Sequence, residues 1–518
     1  MRSCVLALAM LSFGLAACTA GPDYKRPAAP IAATYKELDG WKVATPKDAI
    51  RRGDWWAIYN DPVLDGLVRQ VAISNENLKA QEAAFREARA AVRAARAGYY
   101  PTLNVDPSVT RSSSGVSSSS IGRPGGTRIL RTIYDLPADA GWELDVWGRI
   151  RRTVEGDIAN AQASAADLAS ALLSTQAELI SDYIQLRTAD EQKRLLSDAV
   201  EAYTRALQIT RNQYNSGVAS RADVAQAETQ LETTRASLIA VESQRAQFEH
   251  AIAVLIGKPP SEFSIAPIPY NPHIPEVPVE LPSALLERRP DIAAAERRMA
   301  FANAQIGVAE AAYFPTLSLS ASFGFTSTAL ENLLRAGSQA WSLGAAGSAP
   351  IFNGGATSAS VEQARAAYDQ AVATYRQTVL TGFQQVEDQL AALRVLAEQA
   401  AVQDNAVRAA TEAERLALNQ YLGGVTSYTT VVTAQTTALN NRQTALTIWR
   451  DRMLASVSLI QALGGDFHDF GLPAGDQLYQ YNPLSQVAEQ LQAGGQPAAE
   501  EPGFWSGFGT AIRNLFNR

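Results

Sequence analysis

The chain of 518 residues carries one ordered set of motifs twice, and this duplication limits its fold more than any other feature. Three short segments recur in the same order, at offsets of 214, 207 and 207 residues. Self-similarity over a long period indicates a repeated architectural unit. We therefore expect two halves, each running helix, strand pair, very long helix, tight turn, helix. The matching segments are 99–103 with 313–317, 212–220 with 419–427, and 255–257 with 462–464.

Each half contains one stretch of strong helical character. No proline interrupts residues 149–214, and apolar or small residues recur there at intervals of three and four positions. The same rhythm returns over about 356–421. Such a long period near 3.5 residues is typical of coiled coils, and each helix would be roughly 100 Å long at 1.5 Å per residue. Antiparallel partner helices are predicted over about 220–257 and 427–463.

Four shorter segments alternate apolar with polar or small residues, at about 101–112, 128–147, 314–327 and 340–352. Each is long enough to cross a bilayer as a tilted strand, with one face toward lipid and the other toward water. Pro107 weakens the first strand because proline has no amide proton for the ladder. We expect a membrane β-barrel; the competing interpretation is a soluble two-hairpin module packed on one face.

Four strands do not close a barrel by themselves, because the smallest membrane barrels have about eight strands. An open sheet edge in lipid would leave backbone groups unpaired, at several kcal/mol each. Several chains must therefore share the barrel. Two chains would give eight strands with a filled interior, and three would give twelve strands with room for a pore. Symmetry permits either assembly.

The N-terminus has the features of an export signal. Residues 1–17 combine Arg2 with a short apolar run and end in small residues directly before Cys18. This ending resembles the bacterial lipoprotein signal, which implies cleavage before Cys18 and attachment of lipid to its sulfur. Thr19, rather than an aspartate, follows the cysteine, which in such lipoproteins usually accompanies delivery to the outer membrane. An ordinary signal peptide with an incidental cysteine is the alternative.

Composition and residue spacing narrow the function classes. Basic side chains number 45 against 52 acidic ones, a formal net charge of −7 that gives a nucleic-acid partner no electrostatic support. The three histidines are scattered, and the sequence contains neither C-x-x-C nor H-E-x-x-H spacing. We therefore expect no enzymatic activity, no catalytic residues, no metal and no cofactor.

The boundaries of the two halves follow from the repeat and from proline. The first half is predicted over 61–258, after a lipidated, extended segment at 18–60, and the second half over 291–465. Residues 259–290 contain nine of the 24 prolines and form an extended connector. Residues 466–518 lie outside the repeat, and their Gln-, Ala-, Gly- and Pro-rich part is predicted to be flexible.

Arg289, Pro290 and Asp291 lie in a segment that resembles a hallmark of the TolC-like outer membrane efflux proteins, in their NodT-type lipoprotein branch. The Trp pair at 55–56 and the two Gly-Val turns strengthen the likeness, which covers nearly the whole chain. It implies an α+β membrane protein that forms a homotrimer. Four strands from each copy would form a 12-stranded barrel in the outer membrane, and the long antiparallel helices would form a coiled-coil barrel through the periplasm.

The resemblance also implies function and partners. Such trimers act as passive ducts for drugs or other small solutes, and they dock onto a periplasmic membrane-fusion adaptor and an inner-membrane RND-type pump. Two alternatives remain open. A duct of the same fold can serve type I protein secretion, and a periplasmic coiled-coil scaffold lipoprotein would have no pore. The lipid anchor and the match to the lipoprotein branch favour small molecules.

In this family the helix turns form a periplasmic tip that is closed at rest and opens on contact with the adaptor. Glycine lets the chain reverse direction there. Relatives place acidic rings near the second turn, whereas this chain has threonines. Asp223, after the first turn, is either a constricting charge or a helix-start aspartate favoured by the helix dipole. The tip and gate candidates are Gly217, Val218, Asp223, Gly424, Val425, Tyr428, Thr430 and Thr433.

Overall fold

The computed structural model describes residues 19–28, 35–36, 55–114, 129–268, 274–275, 289–465 and 472–479. The predicted signal peptide, Cys18, most of the proline-rich connector and most of the C-terminal segment lie outside these residues. The chain divides into two compact units after Leu472. In the second unit, the described residues contain the short helix Gly475–Tyr479.

The first half opens with two helices, α1 (Pro62–Ser74) and α2 (Glu76–Ala97), which follow a 3-10 turn at Trp55–Tyr59. Asp61 caps α1 and Asn75 caps α2, each by accepting hydrogen bonds from backbone amides of the first turn. Such caps satisfy donors that have no partner inside the helix. The two helices are therefore separate elements rather than one bent helix.

A long helical hairpin completes the first half. It consists of α3 (Arg149–Asn215), with 67 residues, and α4 (Arg221–Leu255), with 35 residues. The second half repeats these elements as α5 (Pro290–Ala311), α6 (Ala356–Leu422) and α7 (Tyr428–Ala462). Here α6 and α7 again have 67 and 35 residues. The element order predicted from the duplication is thus present in both halves.

One antiparallel sheet contains strands from both halves, and its order is β1 and β2 on β3, then β4, then β5. β1 and β2 both pair with β3 in one continuous register, so they are two pieces of one strand interrupted at Asp106 and Pro107. The interruption lies at Pro107, the residue from which the sequence predicts a weak first strand, because proline lacks the ladder donor. The strands are β1 (Thr102–Val105), β2 (Ser108–Ser114), β3 (Ile129–Leu144), β4 (Thr316–Ser327) and β5 (Gln339–Ser348).

The last strand is also shorter than its sequence pattern predicts. β5 ends at Ser348, and the alternation of apolar residues continues to residue 352 without pairing. Pro350 explains the difference, since it cannot donate to a ladder and restricts the residue before it. The segment from 349 to 355 therefore leads from the sheet to α6 outside the strand.

The sheet has one apolar and one polar face. On the apolar face, Phe323 pairs with Ala138 on one side and with Trp341 on the other. On the polar face, Asp139 pairs with both Asn104 and Ser322. Large apolar side chains on the first face are exposed, including Trp341 at 74%. In a chain otherwise folded around buried apolar residues, such a patch marks a surface that contacts lipid or protein.

α3 is the central helix of the molecule, because it packs against α2 and α4 of its own half and against α5 and α7 of the other. The largest core lies along it and includes Leu179 and Ile180 from the first half, Trp55 from the turn before it, and Val386 and Ile460 from the second half. This shared core holds the two halves together. Among the described residues, no helix combines the length and the apolar character needed to cross a membrane.

Candidate functional site

The first hairpin reverses direction at Gly217, whose φ of 78° lies in the left-handed region. The Gly217 amide donates to the Tyr214 carbonyl at 3.0 Å, and the Val218 amide donates to the Gln213 carbonyl at 2.9 Å. These two bonds form a Schellman motif, which satisfies the last carbonyls of a helix. A Cβ at Gly217 would meet no atom within 4 Å, so the backbone conformation alone requires glycine.

The second hairpin reverses in the same way at Gly424, with a φ of 72°. Its amide donates to the Tyr421 carbonyl at 2.9 Å, and the Val425 amide donates to the Gln420 carbonyl at 2.9 Å. The valine that follows each glycine is largely exposed, Val218 at 76% and Val425 at 78%. Each turn therefore presents one apolar side chain to the surroundings.

The helix that follows the first turn starts with a polar cap. The Ser220 side chain accepts a hydrogen bond from the Asp223 amide at 3.1 Å, and the Asp223 carboxylate accepts from the Ser220 amide at 2.9 Å. The Ser220 hydroxyl also donates to that carboxylate at 2.7 Å. This reciprocal arrangement is a capping box. Asp223 thus lies at the start of the helix and takes part in its cap, which matches one of the two roles predicted for it. Its carboxylate is bound by Ser220.

The helix that follows the second turn starts differently. Its N-cap residue, Ser427, makes no side-chain cap bond. Thr430, at the position equivalent to Asp223, receives a hydrogen bond from the Thr426 hydroxyl at 3.1 Å. Thr433 donates to the Thr429 carbonyl one turn back, at 2.9 Å. Neither threonine brings a charge to the tip.

Tyr428, the first residue of α7, holds the second tip through packing. It is 2% exposed, and its ring centroid lies 5.1 Å from that of Tyr421. Its hydroxyl lies beside the Thr210 side chain on α3. Burial, with a smaller contribution from Tyr421, raises the pKa of Tyr428 to about 12. The surrounding cluster draws on all four hairpin helices: Tyr203, Leu207, Val224, Ala227, Leu231, Tyr421, Tyr428 and Val431.

Polar contacts also connect the two tips. The Thr429 hydroxyl donates to Gln226 Oε1 at 3.2 Å, and the Thr436 hydroxyl donates to Gln230 Oε1 at 3.4 Å. The tip candidates of both halves are therefore brought together in one site at the same end of the two hairpins. We call this site, made of residues 213–231 and 420–436, the paired tip.

The predicted family motif lies elsewhere and has a structural role. Arg289 makes a two-bond contact with Asp291, at 3.0 and 2.7 Å. Its remaining nitrogen donates to Gln385 Oε1 on α6 at 2.8 Å and to the Ala462 carbonyl at 3.0 Å. Pro290 starts α5, where its missing amide proton has no consequence. The motif fastens the start of α5 to the end of α7.

Residues 19–28, which we call the N-terminal strap, cross the junction between sheet and helices. The Ala20 amide donates to the Trp147 carbonyl at 2.9 Å. The Trp147 ring stacks on Phe314 with centroids 4.7 Å apart. A Cβ added at Gly148 would lie 2.8 Å from the Thr19 side chain, so the strap packs directly on the start of α3. Thr19, the neighbour of Cys18, is thereby placed beside this aromatic pair.

One buried arginine holds the strap. Arg152 on α3 donates to the Ala20 and Gly21 carbonyls at 3.1 Å each and forms an ion pair with Asp23 at 2.8 Å. Further along, the Tyr24 hydroxyl donates to Glu296 at 2.5 Å. Sequence reasoning missed these residues, because an arginine inside a long helix carries no local pattern that distinguishes it from a solvent-exposed one.

Comparison with known proteins decides the family. The family described as outer membrane efflux protein has a model that matches residues 67–258 and 281–465, which is most of the chain. The chain belongs to the outer membrane efflux protein family. The two matched segments correspond to the two halves described above.

Individual relatives agree with this assignment. The chain is 30% identical to the toluene efflux pump outer membrane protein TtgC and to the antibiotic efflux pump outer membrane protein ArpC, both of Pseudomonas putida. Each match covers 90% of this chain and 97% of the relative. Among solved structures, the outer-membrane channel OprN is similar at a TM-score of 0.80 with 30% identity, over 86% of this chain and 99% of that one.

Family membership establishes the general role. The chain is an outer-membrane channel component of an efflux pump, and the fold class expected from the sequence, long antiparallel helices with a small antiparallel sheet, is confirmed. Its family consists of efflux channel proteins.

Proposed function

We propose that the chain forms a lipid-anchored homotrimeric duct that carries small organic compounds from an inner-membrane RND-type pump and its periplasmic adaptor to the outside. The observation that carries this proposal is the sheet. Its apolar face is exposed, its other face is polar, and within the described strands β1–β2 and β5 are each paired on one side only. Three copies would supply twelve strands and remove every edge.

The lumen of the proposed barrel is acidic. Asp135 and Asp139 lie on the polar face of β3, at positions that alternate with the apolar residues. Glu143, on the same face, is bound by Arg149 in a two-oxygen ion pair. Rings of carboxylates favour cations in a pore. We therefore propose a weakly cation-selective barrel. The carboxylates of Asp135 and Asp139 would attract cations, and the charge of Glu143 is neutralised by its ion pair with Arg149.

The paired tip is proposed to be the closed end of the duct and its docking site for the adaptor. Val218 and Val425 present apolar side chains next to rigid glycine turns, which suits recognition by apolar contacts from a coiled-coil partner. Opening would separate the first hairpin from the second and so disrupt the packing of Tyr428. Asp223 is proposed to cap α4 rather than to constrict the pore, because its carboxylate is already bound by Ser220.

Lipidation of Cys18 is part of the proposal. The residue lies outside the described part of the chain, but its neighbour Thr19 contacts Gly148 beside Trp147 and Phe314. Aromatic side chains gather at the headgroup level of membranes. An acyl chain on Cys18 would start at that level, next to the barrel, and would enter the inner leaflet of the outer membrane without spanning the periplasm.

The substrate class is proposed from the relatives, whose names refer to toluene and to antibiotics. The test is to delete the gene and measure accumulation of a fluorescent dye, the minimal inhibitory concentrations of several antibiotics, and survival in toluene vapour. We expect higher accumulation and greater sensitivity, restored by the wild-type gene. Unchanged sensitivity together with loss of a secreted protein would assign the duct to type I secretion instead.

A further inference from the structure

One arginine lies on the apolar face of the sheet. Val109 on β2 lies on this face opposite Tyr134, and Arg111 follows two residues later opposite Thr132. Side chains two positions apart in a strand are on the same face. Arg111 is exposed, and among the described strands it is the only charged residue on this face. In the barrel proposed above, this is the face that meets lipid.

The surrounding strands offer Arg111 no carboxylate. Within the described strands the acidic residues are Asp135, Asp139 and Glu143, and all three alternate onto the polar face of β3. The sequence that joins β2 to β3, residues 115–128, contains two arginines and no acidic residue. An anion that binds Arg111 must therefore come from outside this part of the chain.

The two halves of the chain differ in charge at this end of the sheet. Residues 108–132, from β2 to the first part of β3, contain four arginines and no acidic residue. Residues 326–340, which connect β4 to β5, contain one arginine and one glutamate. A cluster of positive charge attracts an anionic surface, whereas a balanced segment does not. The strand pair of the first half is therefore the one suited to an anionic partner.

The strand register gives the height of Arg111 in the membrane. Leu144 ends β3 three residues before Trp147, whose ring stacks on Phe314 at the junction between sheet and helices. Thr132, which lies opposite Arg111, is twelve residues from Leu144 along β3. Twelve residues span about 40 Å, which is about 30 Å of height in a barrel strand tilted by about 40°. The apolar band of such barrels is about 25 Å tall, so Arg111 lies about 5 Å beyond it, at the outer headgroups.

This height and the neighbouring side chains favour a lipid as the partner. A lipid-facing charge is destabilising at the bilayer midplane but costs little at the headgroups. Val109 and Leu130, the latter diagonal to Arg111 across the strand pair, are 66% and 61% exposed and offer apolar surface beside the guanidinium. A guanidinium binds phosphate through two parallel hydrogen bonds. A free phosphate ion would gain nothing from the two apolar side chains, whereas a phosphorylated lipid places its acyl chains against them.

We propose that Arg111 binds a phosphate of an anionic lipid in the outer leaflet of the outer membrane. This inference rests on the barrel proposed above and adds a lipid ligand to it. The guanidinium holds the phosphate, while Val109 and Leu130 contact the acyl chains. Arg131, the neighbour of Thr132 on β3, lies opposite Ser112 on the polar face. It is at the same height as Arg111 but on the lumen side, so it does not contact this lipid.

The test is native mass spectrometry of the purified full chain, with diphosphorylated lipid A as the probe. Arg111→Gln removes the charge from the lipid-facing side. Arg131→Gln is the matched control, because it removes the same charge at the same height from the polar face. We expect the wild type and Arg131→Gln to bind one lipid per chain, and Arg111→Gln to bind at least about tenfold more weakly. Arg111→Lys, which keeps the charge without the two-bond geometry, should be intermediate.

Two measurements on the wild type identify the ligand without any substitution. It should bind the diphosphorylated lipid more tightly than the same lipid without phosphates, and excess inorganic phosphate should not displace the lipid. Equal affinity for the two lipids, or an equal loss in both glutamine variants, would overturn the lipid site while the trimer and its conductance remained. Displacement by inorganic phosphate would overturn it in favour of a free-anion site. A monomeric wild-type chain without conductance would overturn the barrel itself, and the lipid site with it.

Discussion

The two turns of the paired tip have the same backbone and are secured by different means. Gly217 and Gly424 have nearly equal φ values and equivalent hydrogen bonds. After the first turn a capping box starts the helix, and the residue at its first position, Arg221, is exposed. After the second turn the side-chain cap is missing, and the equivalent residue, Tyr428, is buried among four helices.

The difference between the cap and the buried tyrosine indicates which interactions stabilise each turn. A capping box acts within one helix start and is worth about 1 kcal/mol. A buried aromatic side chain acts between elements and is worth more, about 3 kcal/mol against alanine. We infer that local bonds within the first hairpin stabilise its turn. The turn of the second hairpin depends on packing against the first hairpin. Separation of the hairpins would thus loosen the second turn before the first.

The largest effect is expected from Tyr428→Ala, with Arg221→Ala as its matched control. Removal of the buried ring leaves a cavity and should lower local stability by about 3 kcal/mol. Amide hydrogen exchange of the paired tip, followed by mass spectrometry, should then speed up by roughly two orders of magnitude. The Arg221 variant should match the wild type. Equal exchange in both variants would show that the second tip does not depend on this ring.

The stability of the folded chain should depend on pH through Tyr428. The unfolded chain loses the Tyr428 proton near its ordinary pKa of 10, whereas the folded chain keeps it up to about 12. Between these values the unfolded state binds fewer protons, so stability is complete below about pH 10 and falls as pH rises toward 12. The midpoint of thermal unfolding in detergent should decrease over this range. The midpoint for Tyr428→Phe should decrease less over the same pH range. If the midpoint falls as steeply in this variant as in the wild type, the pH effect does not come from the Tyr428 hydroxyl.

The two glycines should respond equally to alanine. Gly217→Ala and Gly424→Ala each force a side chain into the left-handed region, at about 1 kcal/mol. Gly423→Ala is the control, since Gly423 is right-handed at φ −80° and a Cβ there makes only ordinary contacts. Hydrogen exchange at each turn measures the effect. If the alanine substitution speeds exchange at one turn and not at the other, the two turns share a backbone conformation but do not depend on it equally.

The smallest effect is expected from exchanging the caps. Thr430→Asp should build a capping box with Ser427 and slow exchange at the start of α7, while Asp223→Thr should speed exchange at the start of α4. Each change corresponds to about 0.5 to 1 kcal/mol. If Asp223 only caps its helix, Asp223→Thr should leave ion selectivity unaltered. A change in selectivity would return Asp223 to the role of a constricting charge.

Sequence reasoning succeeded where the signal was periodic or repeated. The long helices, the alternating strands and both glycine turns follow from spacing alone, and the weakness at Pro107 was visible in the sequence. The burial of Tyr428 was not, because it depends on four helices that converge from distant parts of the chain. Arg152 and the strap were missed for the same reason, since their contacts span about 130 residues. The motif also did not predict that Arg289 binds Gln385 and the Ala462 carbonyl.

The central claim is that the chain forms a duct closed by the packing of the paired tip. Single-channel conductance in planar bilayers tests it most directly, with purified wild type and Tyr428→Ala compared at one protein concentration. We expect small, cation-favouring currents from the wild type and larger currents from the variant. Equal currents would contradict closure by Tyr428, and absence of current from both proteins would contradict the duct.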